Sequence, residues 1–447
     1  MAQVLIAGAA TADITPQDSQ FLFGYPHVRR YSTGVHDRLL SSALFLCDGK
    51  TSLLWVANDV IYVSRQTAQR VRERIERETG VPAANMMITA THTHSGPLTA
   101  DTISNEGDAV VPKTDPRYVE HLEDGIVRAA VHAFRSARPA EIGFATADGS
   151  CGGTNRHDPA GPSDPEVPVM VVCDRGSGAF VAAMIVCSMH PTVLHEDSTL
   201  ISGDFPAMTR QFLQQHVLGE DCPVVYHTGP SGNQSPRHVT RANTFAEATR
   251  LGELLGKSIG DAIGSIEYCG DAALGCARAL VYLPARGFPT VVQAREQLDA
   301  AAKRLETLRQ SQADRREVRT AECDWFGAEE TLALAQAAEE GRLRAAIDSV
   351  MPAEIMLMRV GPRIFAGWPG ECFVEFALKV KAQRPECSVI SLANGELQGY
   401  LVTEEAMQKR WYEAMNSLFA SPEAWMMLVN VTLEMLRGQE SWKLLER

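Results

Sequence analysis

The chain has 447 residues, 45% of them apolar and 22% charged, the make-up of an ordinary soluble globular protein with room for a large core. Its net charge of -13 and the lack of any long basic run argue against nucleic acid and anionic membrane surfaces as partners. Ten scattered cysteines without a C-x-x-C pair, a first segment too short and too poor in basic residues for an export signal, and no apolar run of spanning length give the expectation of a cytoplasmic protein with reduced thiols and no stable membrane insertion.

Residues 3–15 read as a strand ending at Asp13-Ile14-Thr15-Pro16, followed by a loop rich in Gly and aromatic residues to about residue 37. Then a unit appears. Residues 43–47 form a strand, Asp48-Gly49 a hairpin turn and 53–57 the return strand. Ser64 caps a helix that stops at Gly80, and 86–90 are a third strand. The order recurs as a hairpin over 169–187, a helix over 205–217 and a strand at 224–226. It recurs again as a hairpin over 355–366, a helix over 373–381 and a strand at 389–392. Helical patterns at 291–312 and 328–347 read as a solvated helical hairpin inserted, over 290–346, before the third unit. Residues 402–447 read as helices, and their apolar run Trp425-Met426-Met427-Leu428-Val429 as core or a homo-oligomer contact. The expected fold is α+β: a β-sheet sandwich core flanked by helices, built from three strand-strand-helix-strand units. One domain over 1–447 is favoured, since no linker breaks the chain.

Polar groups stand after the second and third strands of each unit, and sites are usually built on such loops. Thr91-His92-Thr93-His94 ends the first unit. On an extended chain side chains alternate, so His92 and His94 would point the same way. That suits a metal, or one ligand beside an acid/base; it equally suits a strand closed by hydrogen bonds. His190, Ser231, Asn233, Ser235, Glu371, Asn394 and Tyr400 occupy the corresponding ends. Two or three histidines with one carboxylate are the donor set of a catalytic zinc with a place left for water. Loops 98–116 and 151–168 are the expected pocket walls.

The motifs resemble those of the neutral/alkaline ceramidases, in particular their N-terminal catalytic domain. Gly8-Ala9-Ala10-Thr11-Ala12-Asp13-Ile14-Thr15-Pro16, Thr91-His92-Thr93-His94-Ser95-Gly96-Pro97, His190-Pro191-Thr192 with Ser202-Gly203-Asp204-Phe205-Pro206, Pro369-Gly370-Glu371, and Asn394-Gly395 through Gly399-Tyr400 carry the likeness. The resemblance implies zinc held by His92, His190, Glu371 and Tyr400. It implies His94 as an unligated histidine beside the metal, and Arg156 and Tyr412 as the active-site arginine and second tyrosine. The serine of the family's Asn-Gln-Gly-Asp-x-Ser-Pro motif falls on Ser235, in the shorter Asn233-Gln234-Ser235-Pro236. No counterpart of the family's C-terminal β-sandwich domain is expected within these 447 residues.

The implied activity is zinc-dependent amidohydrolysis, in which a zinc-bound water attacks the carbonyl of an N-acyl amide, anilide or carbamate. His94 would move the proton, and Arg156 and Tyr412 would hold the oxyanion. Asp13, Asp59 and Asp204 are candidates to orient the histidines, or simple turn and cap residues. A small-molecule amide is the expected partner. The alternatives are a true ceramidase cleaving N-acylsphingosines, an esterase on the same scaffold, or a non-catalytic metal sensor. A serine hydrolase would use Ser235 or Ser95, but Gly-x-Ser-x-Gly is absent. A barrel amidohydrolase should show strand–helix alternation where the sequence shows hairpins.

Overall fold

The computed structural model describes residues 4–438 and the backbone of 445–446. All three units form. In the first, Leu40–Cys47 pairs antiparallel with Ser52–Asn58, which runs parallel to Met86–Ala90 after the helix Arg65–Thr79. Asp48 Oδ1 accepts the N–H groups of Lys50 and Thr51 while Gly49 takes φ 82°, so the hairpin closes there. Ser64 Oγ accepts from Thr67 N at 3.1 Å at the helix start, and Gly80, at φ 72°, ends it.

The second unit is Glu166–Asp174, Phe180–Cys187, the helix Asp204–Leu213 and the parallel strand Val224–Thr228. The third is Ala353–Val360, Arg363–Gly367, the helix Val374–Gln383 and the parallel strand Cys387–Ile390.

The first two units share an eight-stranded sheet ordered Val224–Thr228, Phe180–Cys187, Glu166–Asp174, Arg138–Asp148, Ile6–Asp13, Leu40–Cys47, Ser52–Asn58, Met86–Ala90. The third lies in a five-stranded sheet ordered Cys387–Ile390, Arg363–Gly367, Ala353–Val360, Leu274–Val281, Leu445–Glu446. Alternation along the strands sorts the core. Leu44, Trp55 and Met87 join Met184, Met356 and Phe365 between the sheets, and Trp55 meets Phe365 edge-on. Their neighbours Phe45, Val56 and Ile88 face outward onto Val71, Ile75, Leu122 and Ile126, from the helices Arg65–Thr79 and Pro116–Arg135. Beyond the five-stranded sheet, Phe376, Leu334 and Trp425 belong to a third apolar layer, in which Phe376 stacks on Trp425. The result is the α+β sandwich flanked by helices that the sequence leads one to expect.

The eight-stranded sheet curls until its two edge strands meet. Thr89 Oγ1 bonds His227 Nδ1 at 2.8 Å, and Thr228 Oγ1 donates to Thr91 O at 2.7 Å. The third unit ties into the same seam: Ser391 N donates to Thr228 O, and Asn394 N to Ile88 O. The closing strands of all three units therefore end at one place, and the loops carrying their polar residues start there.

Several expectations need correction. The second helix of the insertion begins at Arg315 rather than near 328 and runs to Glu339. It is not simply solvated, because Phe326, Glu330, Thr331 and Leu334 are buried. The C-terminal helices are Glu404–Lys409, Tyr412–Met415 and Pro422–Arg437, while the described pair 445–446 is a strand beside Leu274–Val281; 439–444 and 447 lie outside the described residues, as do 1–3 at the other end. Trp425, Leu428 and Val429 are core residues. No helix among the described residues is long and apolar enough to cross a membrane.

Candidate metal centre and active site

His92 follows the strand Met86–Ala90, but the strand geometry has ended before it: its φ is 69°, a left-handed conformation costly for a residue with a Cβ. The alternation argument for His-x-His therefore does not apply. The kink itself turns the ring so that its Nε2 lies 3.3 Å from His94 Nε2. His190, after the strand Phe180–Cys187, brings its Nε2 to 3.1 Å from His92 Nε2. The three histidines offer ring nitrogens all within 4.8 Å of one another, and all three residues are buried.

Backbone carbonyls fix the tautomers. His92 Nδ1 bonds Ile61 O at 3.0 Å and His190 Nδ1 bonds Ser231 O at 2.6 Å. A carbonyl only accepts, so each Nδ1 carries the proton and each Nε2 presents a lone pair. Asp13, Asp59 and Asp204 do not orient the rings: Asp13 pairs with Arg38, Asp59 with Arg210, and Asp204 accepts backbone N–H groups of Leu194 and Phe205.

Glu371 enters from the third unit on the two-residue strand Glu371–Cys372, which is parallel to Tyr400–Leu401. Its Oε1 accepts from Tyr62 Oη at 2.8 Å. Its Oε2 lies 3.0 Å from His92 Nε2 and 3.2 Å from His190 Nε2, yet receives no hydrogen bond among the described residues. Two imidazole nitrogens and a carboxylate oxygen thus face one another across one small space. Donors about 2.0–2.1 Å from a tetrahedral ion lie about 3.3 Å apart, close to the separations here, and imidazole with carboxylate is a zinc-type donor set. The residues fit a metal.

Around this set stand the other expected residues. The Tyr400 ring stacks beside His190, with centroids 6.4 Å apart, and meets Tyr412 edge-on at 6.2 Å. Arg156 holds its guanidinium carbon 5.5 Å from the Tyr400 ring centre. Burial opposes charge on Arg156, but Glu413, Tyr400 and Glu371 together outweigh it and keep the guanidinium firmly protonated. His94 has no partner for Nδ1 among the described residues, and burial, reinforced by His92 and His190, holds its pKa well below the usual value. Ser235 stands apart from these contacts: its Oγ accepts from Arg237 N at 3.3 Å, capping a short turn. The strand Gln234–Ser235 nonetheless supports the site, since Gln234 O accepts from His190 N.

Three contributors escaped sequence reasoning. Tyr62 holds Glu371. Glu413 accepts from Arg156 Nε at 2.6 Å and bonds His157 Nε2 at 2.9 Å. His157 in turn stacks on Trp411, ring centroids 3.7 Å apart. Only the adjacency of Glu413 to Tyr412 could have drawn attention to it. A narrow cavity over the centre is lined by His94, Glu371, Tyr400 and Tyr412, and by Thr102 and Ser104 from the expected 98–116 wall.

Residues 5–226 match the family described as "Neutral/alkaline non-lysosomal ceramidase, N-terminal". His92, His94, Arg156 and His190 lie inside the match; Glu371, Tyr400 and Tyr412 lie beyond it. The chain is 27% identical over 243 residues to a neutral ceramidase of Mycobacterium tuberculosis, and 25% identical over 230 residues to neutral ceramidase B of Dictyostelium discoideum. Those alignments take in 49% and 47% of this chain but only 37% and 32% of the relatives' own length. The fold is that of the neutral ceramidase from Pseudomonas aeruginosa, with a TM-score of 0.76 and 18% identity over 98% of this chain and 75% of that one.

Proposed function

We propose that the protein is a zinc-dependent amidohydrolase that cleaves the C–N bond of an N-acyl amide, or of a related anilide or carbamate. The observation that carries this reading is the meeting of His92 Nε2, His190 Nε2 and Glu371 Oε2 within 3.2 Å of one another. Tyr400 completes the ligand set. Bound zinc supplies Lewis acidity toward the carbonyl and makes water a nucleophile near neutral pH.

The chain's own groups do the rest. His94 Nε2, beside the ligands but outside the set, takes a proton from the attacking water and returns it to the leaving amine nitrogen. Its neutral form suits the first of these steps. Arg156 and Tyr412 donate to the carbonyl oxygen as it becomes anionic, and one such donor is worth about 3 kcal/mol of barrier. Glu413 holds Arg156 in place, and Tyr62 fixes the far oxygen of Glu371. Ser235 caps the short turn that follows Gln234, whose carbonyl accepts from His190 N.

The substrate is a small or medium N-acyl compound, supported by the narrowness of the cavity and by the net charge of -13, which disfavours anionic lipid surfaces. The names of the relatives favour a second substrate, an N-acylsphingosine. Side-by-side assays with soluble short-chain amides and with dispersed long-chain ceramide separate the two. Turnover of soluble amides that stops on chelation and returns with zinc is the expected result; turnover indifferent to chelation would sink the proposal.

A further inference from the structure

The cavity over the metal centre runs past Tyr412 to a carboxylate that the hydrolytic machinery does not use. Glu330, on the helix Arg315–Glu339, is 3% exposed and lines that cavity together with Asn105 and Asn416. Its Oε1 accepts a long 3.4 Å bond from Asn105 Nδ2. Its Oε2 makes no hydrogen bond of good geometry among the described residues, although the Asn416 side chain lies close enough to stabilise the carboxylate, and Oδ1 of Asn416 makes none either. A buried acceptor left unmade is costly, and here two of them line one cavity.

The surrounding charge is negative. The cation acting on Glu330 is His27, whose Nδ1 lies 3.0 Å from Asp108 and 2.8 Å from Glu329. One imidazolium therefore serves three carboxylates. Burial raises the Glu330 carboxyl to about 7, so a cation placed beside it would strip its proton near neutrality. A lipid tail in this position would cover the carboxylate with methylenes and offer it no donor.

We propose that Glu330, with Asn416 and Asn105, forms a subsite for an organic cation rich in N–H donors, an ammonium or guanidinium group, so that the substrate carries positive charge away from its scissile bond. The inference rests on the amidohydrolase reading of the adjoining centre and adds a substrate class to it. Glu330 accepts from the cation and takes no part in bond breaking; Asn416 Oδ1 supplies the second acceptor, and Asn105 sets the carboxylate's orientation.

Titration calorimetry on zinc-loaded protein with n-butylguanidinium and its neutral isostere n-butylurea tests the subsite without calling on turnover. The wild type is expected to bind the cation about tenfold or more tightly than the urea, the size of one charge-assisted pair. Glu330→Gln is expected to lose that preference and Glu330→Asp to keep part of it, with zinc content and far-UV circular dichroism unchanged. If Glu330→Gln does not fold, Glu330→Leu, better suited to buried surroundings, is expected to lose the preference in its place. Equal affinities in the wild type, no binding of the cation, or an undiminished preference without the carboxylate would overturn the subsite. A protein that prefers the cation but cleaves no amide would retain the subsite and contradict the hydrolase; one that cleaves neutral amides with no such preference would do the reverse.

Discussion

His92 Nε2 and His190 Nε2 lie 3.1 Å apart, although their chain positions are 98 residues apart. Each ring is anchored at its other nitrogen, so neither can turn away without giving up a buried hydrogen bond. The pair is held ready for a shared ion, and the remaining parts of the site are arranged around it.

His94 has a different environment, and its removal should have a different consequence. His94→Ala is expected to retain zinc and to lose about 10²–10⁴-fold in turnover, the usual contribution of a general base. His92→Ala is expected to lose the metal. Paired zinc analyses and initial rates check both; loss of zinc from His94→Ala would make His94 a ligand.

Gly24 offers a way to disturb His94 without touching any polar group. At φ 124° it sits so close that a Cβ would fall 2.5 Å from His94 Cγ. Gly24→Ala is expected to displace the ring and to lower kcat by about tenfold or more, since small displacements at a reacting centre are costly. Zinc content should be unchanged. A fully active Gly24→Ala would show that the placement of His94 does not matter.

Glu413 is the counter-ion of Arg156 and hydrogen-bonds His157, and its residue is 1% exposed. Glu413→Gln leaves a buried guanidinium without compensation, at a cost of about 3 kcal/mol. Lower Tm, retained zinc and reduced turnover are expected together, and thermal melts with rate measurements test them. Unchanged rates would remove Arg156 from the mechanism.

His27 sets a pH dependence of stability. Burial opposes its protonation, but Asp108 and Glu329 outweigh burial and raise its pKa from 6.5 to about 9. The folded state therefore binds the proton more tightly than the unfolded one. The stabilisation is full below about 6.5 and is lost as pH rises through about 9. Urea melts at pH 6 and pH 9.5 should show a gap between the wild type and His27→Gln that is wide at the lower pH and narrow at the higher. A gap that widens with pH would reverse the assignment.

What was legible in the sequence was local chemistry. Asp48-Gly49, Ser64 and Gly80 each act through neighbours a few residues away, and the repeated unit could be read from such marks. Asp115 also caps the helix Pro116–Arg135, with its side chain accepting from Arg117 N, a signal that was present and not used. The site was legible as residue types at unit ends and through the family motifs, but not as geometry. His92 leaves strand conformation, so its direction was not open to alternation. Tyr62 and Glu371 meet across 309 positions, and Arg156 and Glu413 across 257, distances over which no local pattern carries information. Glu330 was read as part of a solvated helix because its surroundings come from elsewhere in the chain.

The most direct measurement is elemental analysis, paired with amide turnover, on protein purified without added metal. About one zinc per chain is expected, falling together with activity in His190→Ala and Glu371→Gln and after chelation of the wild type. A metal-free protein that hydrolyses amides at the full rate would contradict the account.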